Sequence, residues 1–86
     1  MLENYLKTGQ IPEKVNLSKE NFLIEKELLL VEEGIKNFFS ALNFELKISG
    51  VVQTFYFVNK DRGISLVNVS YTKIEKEIVR VTMEIY

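Results

Sequence analysis

The side chains that could do chemistry in this 86-residue chain are few in kind, because histidine and cysteine are both absent. That removes the usual general base near neutral pH, the imidazole-based triads, the thiolate nucleophile, disulfides and the thiolate zinc site. What remains for acid–base work is carboxylate: Glu25, Glu32 and Glu33 in the first half, and Glu75, Glu77 and Glu84 toward the end. A working acid and base pair needs a carboxyl whose pKa is shifted by burial or by a charged neighbour. None of the six has such a context in the sequence, and Glu32 with Lys36 has the i,i+4 spacing of an ordinary helix-surface ion pair. Glycine-rich dinucleotide motifs, a phosphate loop and a calcium loop are all missing. The chain therefore reads as non-enzymatic, with no metal and no cofactor.

Binding chemistry has two candidates. Lys60-Asp61-Arg62-Gly63 would make a charged hairpin tip able to meet anions, although polar residues ending in glycine are what such a turn needs in any case. Phe55-Tyr56-Phe57 lies among Lys47, Lys60, Arg62, Lys73 and Arg80, the combination by which sheet proteins stack single-stranded bases and hold their backbone. On a strand only Tyr56 can face away from Phe55 and Phe57, so core packing accounts for the run more economically. A nucleic-acid contact set would then be Tyr56, Lys60, Arg62, Tyr71 and Arg80. Eleven Lys plus Arg against twelve Asp plus Glu, a net charge of −1, lacks the basic excess of a dedicated duplex binder.

These residues need a scaffold, and the pattern supplies one. At 10.0 kDa with 47% hydrophobic side chains, the chain has room for one domain with a small core. Residues 1–17 read as an arm and loop, in which Leu2 to Lys7 makes one or two helical turns closed by Gly9. The period then predicts an amphipathic helix over 18–42. Ser18 is its N-cap, Leu17 and Phe22 form a hydrophobic staple, and Ile24, Leu28, Val31, Ile35, Phe38 and Leu42 make a continuous stripe. Gly34 inside that helix costs up to about 1 kcal/mol relative to alanine, which implies a close backbone approach or a bend. Asn43 suits a left-handed cap.

From residue 44 to 86 the period changes to two, giving a four-stranded antiparallel meander. Ser49-Gly50 would close a two-residue hairpin that sets Leu46 opposite Gln53 and Phe44 opposite Phe55. Ile64 to Thr72 is the third strand, Lys73 to Lys76 a turn, and Glu77 to Tyr86 the terminal strand. The fold class is thus α+β, a helix on a four-stranded meander in two layers. One sheet face buries Phe44, Leu46, Phe55, Phe57, Val79, Val81, Met83 and Ile85 under the helix.

The other sheet face carries Val52, Tyr56 and Val58, plus either Ile64 and Leu66 or Val67, Val69 and Tyr71 from the third strand. So much apolar surface on an uncovered face points to a partner. The expectation is a protein-interaction or assembly module, a homodimer or a complex with another protein. Val52, Tyr56, Val58, Leu66 and Val67 are its contact residues, the N-terminal arm wraps the partner, and the terminal strand offers an edge for strand addition. The alternative is the nucleic-acid accessory role. No apolar run is long enough to span a membrane and no secretory signal is visible, so the expected compartment is the cytoplasm.

The order of residues also carries a family likeness. Ile35 to Asn43, ending in Leu42-Asn43, leads into Phe44-Glu45-Leu46-Lys47-Ile48, and Phe55 to Asn59 closes on Lys60-Asp61-Arg62-Gly63. This third of the chain resembles the FlaG family of bacterial flagellar proteins, in which a helix leads to a strand, a hairpin and a second strand. The sequence departs from that family in lacking its proline-containing segment after the last strand, having a fourth strand through Tyr86 instead. The resemblance implies a non-catalytic role in a flagellar context.

Overall fold

The computed structural model describes residues 1–48, 53–59 and 64–86. The chain runs through α1 (Leu2–Thr8), β1 (Glu20–Ile24), α2 (Leu28–Ala41), β2 (Glu45–Ile48), β3 (Thr54–Asn59), β4 (Ile64–Glu75) and β5 (Ile78–Ile85). All strands pair antiparallel in one sheet of order β1-β5-β4-β3-β2. The architecture is α+β, as expected, but with five strands instead of four.

The fifth strand comes out of the expected helix. Residues 20–24 alternate Glu-Asn-Phe-Leu-Ile, a sequence that fits a half-buried strand as well as it fits a helical stripe. Phe22 and Ile24 are buried while Asn21 and Leu23 are exposed. The terminal strand β5 decides between the two: Phe22 lies opposite Val81 and Ile24 opposite Val79, so β1 supplies a hydrogen-bonding partner that a helix could not. Helix α2 then starts at Leu28, with Glu27 in extended conformation at its N-cap and no side-chain cap. Ser18 and the Leu17–Phe22 staple have no capping role.

From Leu28 onward the stripe holds. Val31, Ile35, Phe38 and Phe39 are buried on α2, and Leu42 just beyond it. The helix ends in a Schellman closure: Asn43 adopts φ 65°, its N–H donates to the Ser40 carbonyl at 3.1 Å, and the Phe44 N–H donates to the Phe39 carbonyl at 2.8 Å. The hydrophobic contact that accompanies such closures is present as an edge-to-face pair of Phe39 and Phe44 at 5.3 Å. Phe39 also stacks on Phe57 at 4.3 Å, which fixes the helix over the sheet. The side-chain Nδ2 of buried Asn59 donates to the Leu42 carbonyl at 3.2 Å, tying the end of β3 to the same corner.

The N-terminal arm packs against its own chain. Gly9 closes α1 at φ 77°, and Leu2 and Leu6 are wholly buried. Gly34 makes room for them: a Cβ there would stand 2.5 Å from Cδ2 of Leu6, so any other residue would force the Leu6 side chain or α1 to shift. At the other end of α1, Glu20 of β1 accepts the backbone N–H groups of Leu2 at 2.9 Å and Glu3 at 3.1 Å. Its carboxylate also lies 3.2 Å from the Met1 ammonium.

Two registers differ from expectation. Leu46 lies opposite Phe57 and Glu45 opposite Val58, so the β2–β3 connection is longer than a two-residue hairpin; Ser49, Gly50 and Val51 themselves lie outside the described residues. The tight turn between β4 and β5 is Lys76-Glu77, with Glu77 at φ 63°, and Lys73 belongs to β4. The third-strand ambiguity resolves inward for the odd residues: Val67, Val69 and Tyr71 join Phe55, Phe57, Val79, Val81 and Met83 beneath the helices.

Candidate interaction surface

Both helices pack on one face of the sheet, and among the described residues nothing covers the other. That outer face is organised in cross-strand rows. One row runs Thr54–Ser70–Thr82–Asn21, the next Thr72–Arg80–Leu23, and a third Tyr56–Asn68–Glu84. The centre of the face is therefore hydroxyl and amide, with apolar groups only toward its borders. Arg80 donates to Asn21 Oδ1 at 3.2 Å.

The expected contact residues are dispersed by this arrangement. Tyr56, Val58 and Leu66 do lie on the outer face, each half-buried by its strand neighbours. Val67 does not: it is fully buried on the helix side, because residues alternate along β4 and the inner positions fell to the odd set. Val52 lies outside the described residues. Of the nucleic-acid set, Lys60 and Arg62 also lie outside them, and Tyr71 is buried in the core. The Tyr71 hydroxyl donates to Glu32 Oε1 of α2 at 3.1 Å, and burial, with Glu32 adding to it, pushes its pKa up to about 12. Tyr56 and Arg80 share the outer face in different rows, and the carboxylate of Glu84 stands in the row of Tyr56.

At one border of that face, Tyr86 donates its hydroxyl to Glu84 Oε2 at 3.0 Å, and this bond to a carboxylate raises the phenol's pKa. Asn68 lies beside them with its Oδ1 buried and without a hydrogen-bond partner among the described residues. No group of three or more acidic residues is placed to hold a metal ion among the described residues.

The edges differ more than the faces do. The terminal strand β5, expected to be open, is paired on both sides, by β4 and β1. The sheet ends instead at β1 and β2. The β1 edge is flanked by α1, which packs against it and is held there by Glu20. The β2 edge has no flanking element among the described residues. Its Leu46, expected in the core, is 39% exposed, since it points to the helix side at the outermost strand, where no further strand shields it. Beside it a groove of about 370 Å³ opens between α2 and the sheet, lined by Phe44, Leu46 and Phe57 and rimmed by Lys36, Ser40 and Glu45.

Glu45 and Lys47 of β2 stand with Oε1 and Nζ 3.3 Å apart, both well exposed, and the register of the strand shifts between Leu46 and Ile48. Neither was marked out by the sequence as functional. The available signal was that the first strand of a meander is an edge by construction, and that Glu45 and Lys47 flank its Leu46 with opposite charges. Compared with protein-family models, curated proteins and solved structures, the chain shows no significant match to any. No helix among the described residues is long and apolar enough to cross a membrane.

Proposed function

We propose that this chain is a small non-catalytic interaction module that works by self-association through the exposed part of its sheet. The observation that carries the reading is the β2 end of the sheet, where no further strand pairs among the described residues and an apolar groove lies alongside. Backbone donors and acceptors along such an edge are a template for another strand, and the groove accepts the side chains that alternate along it. The outer face, with its Thr, Ser and Asn centre, offers less apolar area than the edge region and is the lesser of the two surfaces. A flagellar assembly, as the FlaG resemblance implies, is one setting in which a module of this kind would act.

Sedimentation or light scattering over a concentration series tests the reading, with a mass rising above the single-chain 10.0 kDa as the expected result. Leu66→Asp places a charge on the outer face away from β2 and separates the surfaces: association should survive it. Loss of association in that variant would move the contact to the face. A mass that stays at one chain up to millimolar protein would refute self-association altogether.

A further inference from the structure

On the outer face of the sheet, Tyr56, Asn68 and Glu84 lie directly opposite one another on β3, β4 and β5. Tyr86 joins them: its backbone N–H donates to the Leu66 carbonyl at 2.9 Å and its hydroxyl to Glu84 Oε2 at 3.0 Å. The hydrogen bond to Glu84 raises the pKa of the Tyr86 phenol most, and Asn68 and Tyr56 act on it as well, so the four side chains meet in one place. Two of them are short of partners. Glu84 is half-buried yet pairs with no lysine or arginine among the described residues. Asn68 Oδ1 is buried and accepts no hydrogen bond from them. A half-buried charge without a counterion and a buried acceptor without a donor both cost free energy. One ligand group relieves both, a cation that donates in several directions.

We infer that this cluster is a binding site for a guanidinium group, the arginine side chain of a partner protein. Guanidinium is planar and permanently charged, and its five N–H donors form a fixed fork. It can therefore donate to Glu84 and Asn68 on neighbouring strands while its face lies on a tyrosine ring. Side chains opposed across an antiparallel pair stand about 4.5–5.5 Å apart at Cβ, a separation that one fork bridges. An ammonium is a compact, strongly hydrated point charge and matches two separated acceptors less well. Phosphate is repelled by Glu84 in the same row, so the cluster suits a cation better than a nucleic-acid backbone. Reaching Oδ1 requires the surrounding side chains to give way, and Tyr86, 63% exposed, has room to move. The site does not rest on the β2 contact proposed above, and a chain that stays single would still show it.

Nuclear magnetic resonance of the isotope-labelled chain tests this, with a capped Gly-Arg-Gly peptide titrated beside its lysine and citrulline counterparts. The arginine peptide should shift the amides of Tyr56, Asn68, Glu84 and Tyr86, the Asn68 side-chain amide included. One side chain on an open face should bind at about millimolar concentration. The lysine and citrulline peptides should bind about fivefold more weakly or worse. Glu84→Gln should weaken the arginine peptide about tenfold, by removing a charge-assisted acceptor. The comparison of three peptides on the wild-type chain stands whether or not that variant folds. Equal binding of the lysine peptide, unchanged affinity in a folded Glu84→Gln chain, or no shift at about tens of millimolar arginine peptide would each overturn the assignment. Free arginine binding more tightly than the capped peptide would overturn the partner-protein source, and a single-stranded oligonucleotide shifting these residues in its stead would overturn the guanidinium site.

Discussion

Gly34→Ala is the substitution whose outcome depends most directly on how α1 sits on α2. In an exposed helix interior this change adds about 1 kcal/mol of stability, since alanine loses less conformational entropy on folding. Here the new Cβ would stand 2.5 Å from Leu6 Cδ2, against an ordinary carbon–carbon contact of about 3.5–4.0 Å. Leu6 is only 2% exposed, so its methyl has no open space to swing into. Relief requires an off-rotamer leucine or a shift of α1, and overpacking of this kind costs about 1–3 kcal/mol. The single variant should thus lie between neutral and about 2 kcal/mol destabilised. Leu6→Ala settles the cause: alone it costs about 2–5 kcal/mol, but it also removes the clashing methyl. In that background Gly34→Ala should become stabilising by about 1 kcal/mol, a coupling of about 1–3 kcal/mol between the two positions. Urea unfolding at one fixed protein concentration, followed by circular dichroism, measures all four corners of the cycle. Additivity within about 0.5 kcal/mol would show that α1 does not cross α2 at Gly34.

Three further outcomes follow from other contacts. Glu20→Ala removes the acceptor for the Leu2 and Glu3 N–H groups and should cost about 1 kcal/mol, visible as faster amide exchange in α1 with β3 and β4 unaffected. Because the Tyr71 phenol titrates near 12 when folded and near 10 when unfolded, its contribution is complete below about pH 10 and is lost as pH rises toward 12. Tyr71→Phe should therefore flatten the alkaline decline of stability in that window, and an unchanged slope would count against burial of the phenol beside Glu32. At Asn43, held at φ 65°, glycine should be neutral or slightly stabilising, while valine should lower stability by about 1–2 kcal/mol in thermal or urea unfolding.

Features set by local chemistry were legible in the sequence. Gly9 and Asn43 closed their helices in left-handed conformation where expected, and the mid-helix Gly34 marked a close approach. The alternation of β5 gave the correct inner face. What could not be read was any choice left open by local pattern and made by distant residues. Glu20 to Ile24 satisfies both periods, and only the unpaired side of β5, more than fifty positions later, selects the strand. The same holds for β4, where Leu66 and Val67 are equally good strand residues and the face was decided by Val69 and Tyr71 meeting Phe55 and the Glu32 carboxylate. The hairpin register failed for a related reason. Ser49-Gly50 fits a tight turn, but the pairing that forms sets Leu46 opposite Phe57, which itself stacks on Phe39 of α2, a contact between elements that the turn does not see.

These resolved choices move the case for a partner from one surface to another. A 47% apolar chain with one helix and four strands would have more apolar surface than it could cover, and the surplus would lie on the open face of the sheet. The chain covers much of that surplus itself. Leu2 and Leu6 pack against α2, Phe22 and Ile24 extend the sheet's inner face, and the odd residues of β4 turn inward, leaving Thr, Ser and Asn in the middle of the outer face. The outer face is then not a broad apolar patch, for which an extended face-to-face dimer would be the remedy. Among the described residues the large apolar side chains left exposed are dispersed instead: Leu23 on β1, Leu29 and Leu30 on α2, Ile74 on β4 and Leu46 at the β2 edge are among them. Of these, Leu46 lies at a sheet edge beside a groove lined by Phe44 and Phe57, which is where an added strand, on the function proposed above, would cover apolar surface.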